Sequence, residues 1–248
     1  MSPDLTLLLV GAAVAGLVQG LSGFAFGMVA MSFWVWGIDP RVASVLTVFG
    51  ALTGQVVAAF SIQRGLRLAV LLPFLVGGLV GVPIGVAVLP HLDTVWFKLI
   101  LGTLLVTWCP TMLFAQRLPR VQWGGRFANG LAGAAGGFMG GLGGFTGVVP
   151  SLWCTLRGFD KALQRTVVQN FNLAALSVTM VAYLMSGAVT RDMIPLFAVL
   201  APTVLISSLI GARLYIGLSE LAFRRIVLSL LTLAGLTMLV SSLARLLS

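Results

Sequence analysis

Single charges and short polar clusters cut the chain into eight apolar blocks. Leu5–Ile38 runs 34 residues without a charge, then Val42–Gln63 with 22, Leu68–Pro90 with 23 and Leu99–Gln116 with 18. The series then starts again, with Phe127–Leu156 at 30, Thr166–Thr190 at 25, Met193–Ala212 at 20 and Ile226–Ala244 at 19. A helix crosses the hydrocarbon core in about 20 residues. Six blocks fit one crossing each. The first block of each series is too long for one straight span and too short for two joined by a turn. Each of these blocks also carries glycine near its middle. The pattern therefore predicts two short helices meeting at a glycine-rich break inside the membrane. Such a break is tolerated at membrane depth only where protein or a water-filled cavity receives the freed backbone groups.

The two long blocks are copies of each other. Gly130–Gly147 is half glycine, and a shift of 121 positions lays Gly20-Leu-Ser-Gly-Phe24 on Gly141-Leu-Gly-Gly-Phe145 and Gly37-Ile-Asp39 on Gly158-Phe-Asp160. At a shift of 126, Ile84-Gly85 falls on Ile210-Gly211, and Phe97-Lys98 on Phe223-Arg224. The expected architecture is an all-α polytopic membrane protein of two repeats, residues 1–120 and 121–248. Each repeat is a broken, re-entrant-like helical hairpin followed by three transmembrane helices, and the boundary falls in the polar stretch Arg117–Gly125.

Loop charge decides how the hairpins insert. If both long blocks crossed once, the fifteen basic residues would divide seven to eight between the two faces. If both return to the side they came from, the division is eleven to four, the four being Arg41, Lys98, Arg191 and Arg245. The excess of cations on cytoplasmic loops favours the second arrangement. It places both termini in the periplasm and gives the halves inverted topology.

Composition excludes the soluble classes. The chain is 59% hydrophobic and 8% charged, against about 25% charged in soluble domains, and its mean hydropathy is +1.09. The net charge of +9 is scattered singly or in pairs, which sets topology rather than binding nucleic acid. Cys109 and Cys154 lie in apolar blocks and are expected as small core residues rather than a disulfide. Asp4 stands where a basic leader would be, so no cleavable signal peptide is expected.

Candidate chemistry is sparse. The carboxylates Asp4, Asp39, Asp93, Asp160, Asp192 and Glu220 all lie at block ends, which leaves no proton relay inside the membrane. His91 sits in a Pro-His-Leu-Asp turn, and no Cys/His cluster or paired carboxylate suggests an enzyme, a metal site or a cofactor. Gly141-Leu-Gly143 is no dinucleotide fingerprint, because Thr146 takes the third glycine position and no strand precedes it. The ladders Gly133/Gly137/Gly141 and Gly136/Gly140/Gly144 have the spacing that lets transmembrane helices pack closely.

The tips call for a further reason. Gly20, Ser22, Gly23 and Phe24, and Gly141, Gly143, Gly144, Phe145 and Thr146, stand where the second arm of each hairpin begins. A helix N-terminus offers unpaired N–H groups and the positive end of the macrodipole, and glycine lets an anion reach the backbone. Gln169 and Asn170 are the amides best placed to assist; Asn172, Gln19 and Gln55 are further polar residues within the spans. Arg165 and Arg213 read as cytoplasmic anchors. These residues predict a substrate site for a small oxyanion between two facing tips.

The twofold Gly-x-x-x-Gly-x-x-Gly-Phe pattern, Gly16/Gly20/Gly23/Phe24 and Gly137/Gly141/Gly144/Phe145, resembles the sulfite exporter TauE/SafE family, as do the Gly-x-Asp turns and a length near 250 residues. The resemblance spans essentially the whole chain. It implies a permease of the bacterial inner membrane for sulfite, sulfoacetate or other sulfur anions, with sulfite export as the first expectation. Many members carry a proline soon after the first motif; here Pro150 follows the second, and Val29 stands at the corresponding place in the first. The alternatives are an uptake permease for an organosulfonate or a metal ion, and a non-transporting membrane scaffold. The expected partners are the sulfur anion, the lipid bilayer and a second copy in a homodimer.

Overall fold

A computed structural model describes residues 4–61, 67–115, 119–214 and 220–247. Arg117 and Leu118 of the expected boundary stretch, Arg64 of the loop before α4, and the chain ends 1–3 and 248 lie outside the described residues. Within those described, every regular element is helical: α1 (Leu5–Ser22), α2 (Phe26–Trp34), α3 (Pro40–Ser61), α4 (Leu68–Val88), α5 (Thr94–Phe114), α6 (Gly125–Gly143), α7 (Val148–Leu156), α8 (Lys161–Met185), α9 (Ile194–Leu214) and α10 (Glu220–Leu247). Short 3-10 turns at Leu89–His91 and Arg191–Met193 lead into α5 and α9. Seven of the helices, α1, α3, α4, α5, α8, α9 and α10, are long and apolar enough to cross a bilayer, which makes this a multi-pass membrane protein. The glycine-rich α6 is not among them.

The block-end carboxylates start helices. Asp4 accepts from the N–H groups of Thr6 and Leu7, Asp93 from that of Trp96, and Asp160 from that of Leu163. Each satisfies a donor that the first turn leaves unpaired. Cys109 and Cys154 are free and buried.

Both long blocks break, at Gly23–Ala25 and at Gly144–Gly147. The arms are unequal, however, with 18 and 9 residues in the first hairpin and 19 and 9 in the second. At 1.5 Å per residue the entering arms are about 27 Å long and the returning arms about 13 Å. The expected pair of short arms is replaced by one long and one short because the upstream glycines stay helical, held by neighbouring helices. The first hairpin does return: the Trp34 indole N–H donates to the Leu8 carbonyl at 3.2 Å, and Gly37 lies against Leu7.

The largest helix contact joins α6 to α4, and its counterpart joins α1 to α9. Gly77, Gly81 and Gly85 of α4 face the carbonyls of Gly130, Ala134 and Phe138, while Gly133, Gly137 and Gly141 face those of Phe74, Gly78 and Val82. On the other pair, Gly16 and Gly20 face Ser207 and Ser208, and Gly211 faces Leu17. Residue numbers rise together along both contacts, so the paired helices run the same way. Small residues at these positions let backbones touch, where van der Waals contact and Cα–H···O approaches replace side-chain packing. The Arg41 guanidinium donates to the Pro90 carbonyl, which ties the end of α4 to the end where α1 begins. Hence α4 and α6 run counter to α1. Between the pairs, α3 packs beside α8, and α5 crosses α10 where Gly102 meets Gly235.

A methyl on Gly81 would strike the Ala134 carbonyl, whereas one on Gly130 meets only the Pro73 carbonyl at 3.5 Å. Gly81→Ala is expected to lower stability by about 1–3 kcal/mol. Gly130→Ala is expected to be neutral or to stabilise by up to about 1 kcal/mol. Thermal unfolding of the detergent-purified variants measures both.

Candidate functional site

The two breaks are built alike. Gly23 and Gly144 each end a long arm with left-handed backbone, at φ 83° and 76°, and their N–H groups bond back to Gln19 at 2.7 Å and Gly140 at 2.8 Å. Only glycine adopts this conformation without a Cβ clash. After Gly23 the Ser22 hydroxyl accepts from the N–H groups of Phe24 and Ala25, at 3.4 and 3.3 Å. After Gly144 the Thr146 hydroxyl donates to the Asn172 carbonyl oxygen at 2.9 Å. The expected tips therefore exist, and they meet. A Cβ on Gly27 would lie 2.8 Å from the Gly144 carbonyl oxygen, and one on Gly147 would lie 3.0 Å from Phe24 Cβ. At this contact a carbonyl of the second tip, not an amide, faces the first turn of α2.

Helices α3 and α8 bracket both tips. From α3, Gln55 donates to the Gly23 carbonyl at 2.6 Å, Ser44 donates to the Leu142 carbonyl at 2.8 Å, and the Thr47 methyl packs on Gly144. From α8, Gln169 places its amide nitrogen beside Gly23, and Asn172 lies against Gly147. Gln19 donates from α1 to the Ala51 carbonyl at 2.9 Å. The Trp108 indole of α5 donates to the Val148 carbonyl at 2.9 Å, and its ring meets that of Phe24 edge to face. All these side chains are neutral. Among the described residues, two buried polar atoms here have no hydrogen-bond partner, the Thr47 hydroxyl and the Gln19 side-chain amide oxygen. A buried polar group left unpaired costs about 1–3 kcal/mol.

The predicted site residues divide into three groups. Ser22, Gly23, Phe24, Gly144, Phe145, Thr146 and Gln169 lie at the meeting point. Gly143 lies beside them, against the Phe145 ring and Met31. Gly20 and Gly141 face α9 and α4, where they let those helices close. Asn170 is half-buried and turns its amide to the Thr166 carbonyl of its own helix. Asn172, Gln55 and Gln19, noted as span polars but not chosen, are nearer the tips than Asn170. Ser44 and Thr47 escaped the sequence reading. The signal was the stripe Ser44, Thr47, Ala51, Gln55, one face of a helix in an apolar block.

The tips differ in access. Residues 143–148 are buried throughout, whereas Ser22 is exposed and Gly23 and Phe24 are half-buried. Exposed Arg213 follows Ala212, which Gly20 touches, and exposed Arg165 stands one turn before Gln169. Both cations thus belong to helices that touch the first hairpin.

Thr146→Val is expected to destabilise by about 1–3 kcal/mol, because it strands the Asn172 carbonyl oxygen in a buried position. Gly144→Ala is expected to cost about 1–2 kcal/mol from its left-handed backbone alone. Both are read by thermal unfolding.

The sulfite exporter TauE/SafE family profile matches residues 7–238. No curated protein and no solved structure matches the chain.

Proposed function

Because the chain belongs to the sulfite exporter TauE/SafE family, a family of membrane transporters of sulfur anions rather than enzymes, we propose that it exports sulfite or a closely related small oxyanion by alternating access. The halves 1–120 and 121–248 act as inverted repeats across the bacterial inner membrane, with both termini in the periplasm. The observation that carries this reading is the meeting of two left-handed glycine elbows, Gly27 against Gly144 and Phe24 against Gly147. It is supported by the opposed directions of α1 and α6 and by the matched arm lengths.

In the state described, the first elbow is the accessible one. Arg165 and Arg213 draw the anion toward it from the cytoplasmic side. The oxyanion is taken by the Ser22 hydroxyl and the Gln169 amide at the accessible end of this elbow, while the second elbow forms the closed floor. Export follows when the elbows exchange roles and Gly143, Gly144, Phe145 and Thr146 become accessible from the other side. The unpaired Thr47 hydroxyl beside Gly144 is then available as a donor. An inside-negative potential drives a monovalent anion outward by about 2.3 kcal/mol per 100 mV. With every carboxylate outside Glu220 placed at a helix start or in a loop, the transport is uniport or is coupled through protonation of the substrate itself.

Counterflow of labelled sulfite in proteoliposomes tests this. Ser22→Ala and Gln169→Leu are each expected to raise the sulfite KM about tenfold, the equivalent of one lost hydrogen bond to an anion. Each variant also loses a contact within the fold, so KM is read on protein whose unfolding transition shows it to be folded. Counterflow absent in the wild type, or KM unmoved in both variants, refutes the elbow site.

A further inference from the structure

A cleft of about 140 Å³ opens between α4 and α8 and shares no residue with the elbow site. Leu75 and Leu79 wall it on one side, Ala174 and Val178 on the other, and Gly78 and Phe171 close its floor. The glycine makes the room, since a Cβ on Gly78 would lie 2.8 Å from the Phe171 ring. Leu79 is exposed and Leu75 and Ala174 are half-buried, so the cleft faces the bilayer. No polar side chain lines it. A water, which needs two or more polar partners, has nothing to bond to there, and neither has an oxyanion. A helix about 10–12 Å across does not enter so small a space. A slim apolar chain does.

The two walls lead up to cations. Arg67, exposed at the N-cap of α4, precedes Gly78 on the same face by three turns, about 16 Å. Lys161, exposed at the first position of α8, precedes Ala175 by four turns. Both helices start at one end of the bundle. Leu71 and Phe74 of α4 pack with Val167 and Phe171 of α8, and the Arg157 guanidinium just before α8 donates to the Val121 and Trp123 carbonyls just before α6. Exposed Trp123 and Phe127 set this end at the level of the lipid headgroups. Half of the hydrocarbon core is about 15 Å thick. The cleft therefore lies within reach of an acyl chain that hangs from a headgroup at Arg67.

We propose that this seam binds one anionic phospholipid, with its phosphate at Arg67 and Lys161 and one acyl chain in the α4–α8 cleft. The chain braces α8 at Phe171, next to Asn172, which holds Thr146 of the second elbow. The site rests on the membrane-spanning fold and does not depend on which anion is transported.

The test uses the full chain, purified in detergent and stripped of lipid, then titrated with dioleoylphosphatidylglycerol or dioleoylphosphatidylcholine. Native mass spectrometry and thermal unfolding are the readouts. Wild type is expected to hold one phosphatidylglycerol more tightly than phosphatidylcholine, and to melt higher with it. Arg67→Gln is expected to weaken phosphatidylglycerol about fivefold, the worth of one cation near a lipid surface, and to leave phosphatidylcholine unchanged. Ala174→Leu fills the cleft from its rim and is expected to weaken both lipids; Ala174→Val carries the same test should the leucine prevent folding. Equal binding of the two lipids by wild type overturns the proposal, as does undiminished binding of both by a folded Ala174 variant. A lipid-free wild type that is dimeric, and monomeric as Ala174→Leu, also overturns it and assigns the cleft to a second copy of the chain.

Discussion

Two stripes without side chains decide where everything else sits. In lipid, apolar side chains gain nothing by leaving the solvent, so helices associate through close contact and through polar groups with nowhere else to go. Gly77, Gly81 and Gly85 on α4 receive α6, and the small residues around Gly20 and Gly211 join α1 to α9. These contacts place the entering arm of each hairpin to within the thickness of a methyl group. The elbows meet because the arms that carry them are fixed in this way.

A neutral polar shell then takes over where glycine ends. The elbows expose backbone that the helical pattern cannot satisfy; Gln55, Ser44, Ser22 and Trp108 bond to backbone groups there, and Asn172 takes the Thr146 hydroxyl. No charge is needed, and burying one would be costly. On the proposed function, such a shell favours a guest that accepts hydrogen bonds over one that must be neutralised by a fixed cation.

Much of this was legible in the sequence. Block length alone betrayed the breaks, and the shift of 121 positions that aligned Gly23 with Gly144 also aligns their left-handed turns and the starts of α3 and α8. The division between packing and turn-forming glycines was not legible. Gly20 and Gly23 look alike as letters, yet one touches Ser208 and the other carries the turn, and only the neighbouring helix distinguishes them. Asn170 and Asn172 differ by two positions, roughly 200° around a helix, so choosing between them required knowing which face of α8 meets the elbows. Thr47 was passed over because one threonine in an apolar block carries little signal until its stripe is read with Ser44 and Gln55.

The cross-packing of α6 on α4 and α1 on α9 bears on descent. In each half the grooved helix packs on the other half's hairpin, α4 on α6 and α9 on α1. On the inverted-repeat reading proposed above, a single-copy ancestor paired with a sister inserted the opposite way round, each lending its hairpin to the other. On that reading, fusion of two such genes fixed an exchange that already existed and left the copies free to differ, as they do at Val29 and Pro150.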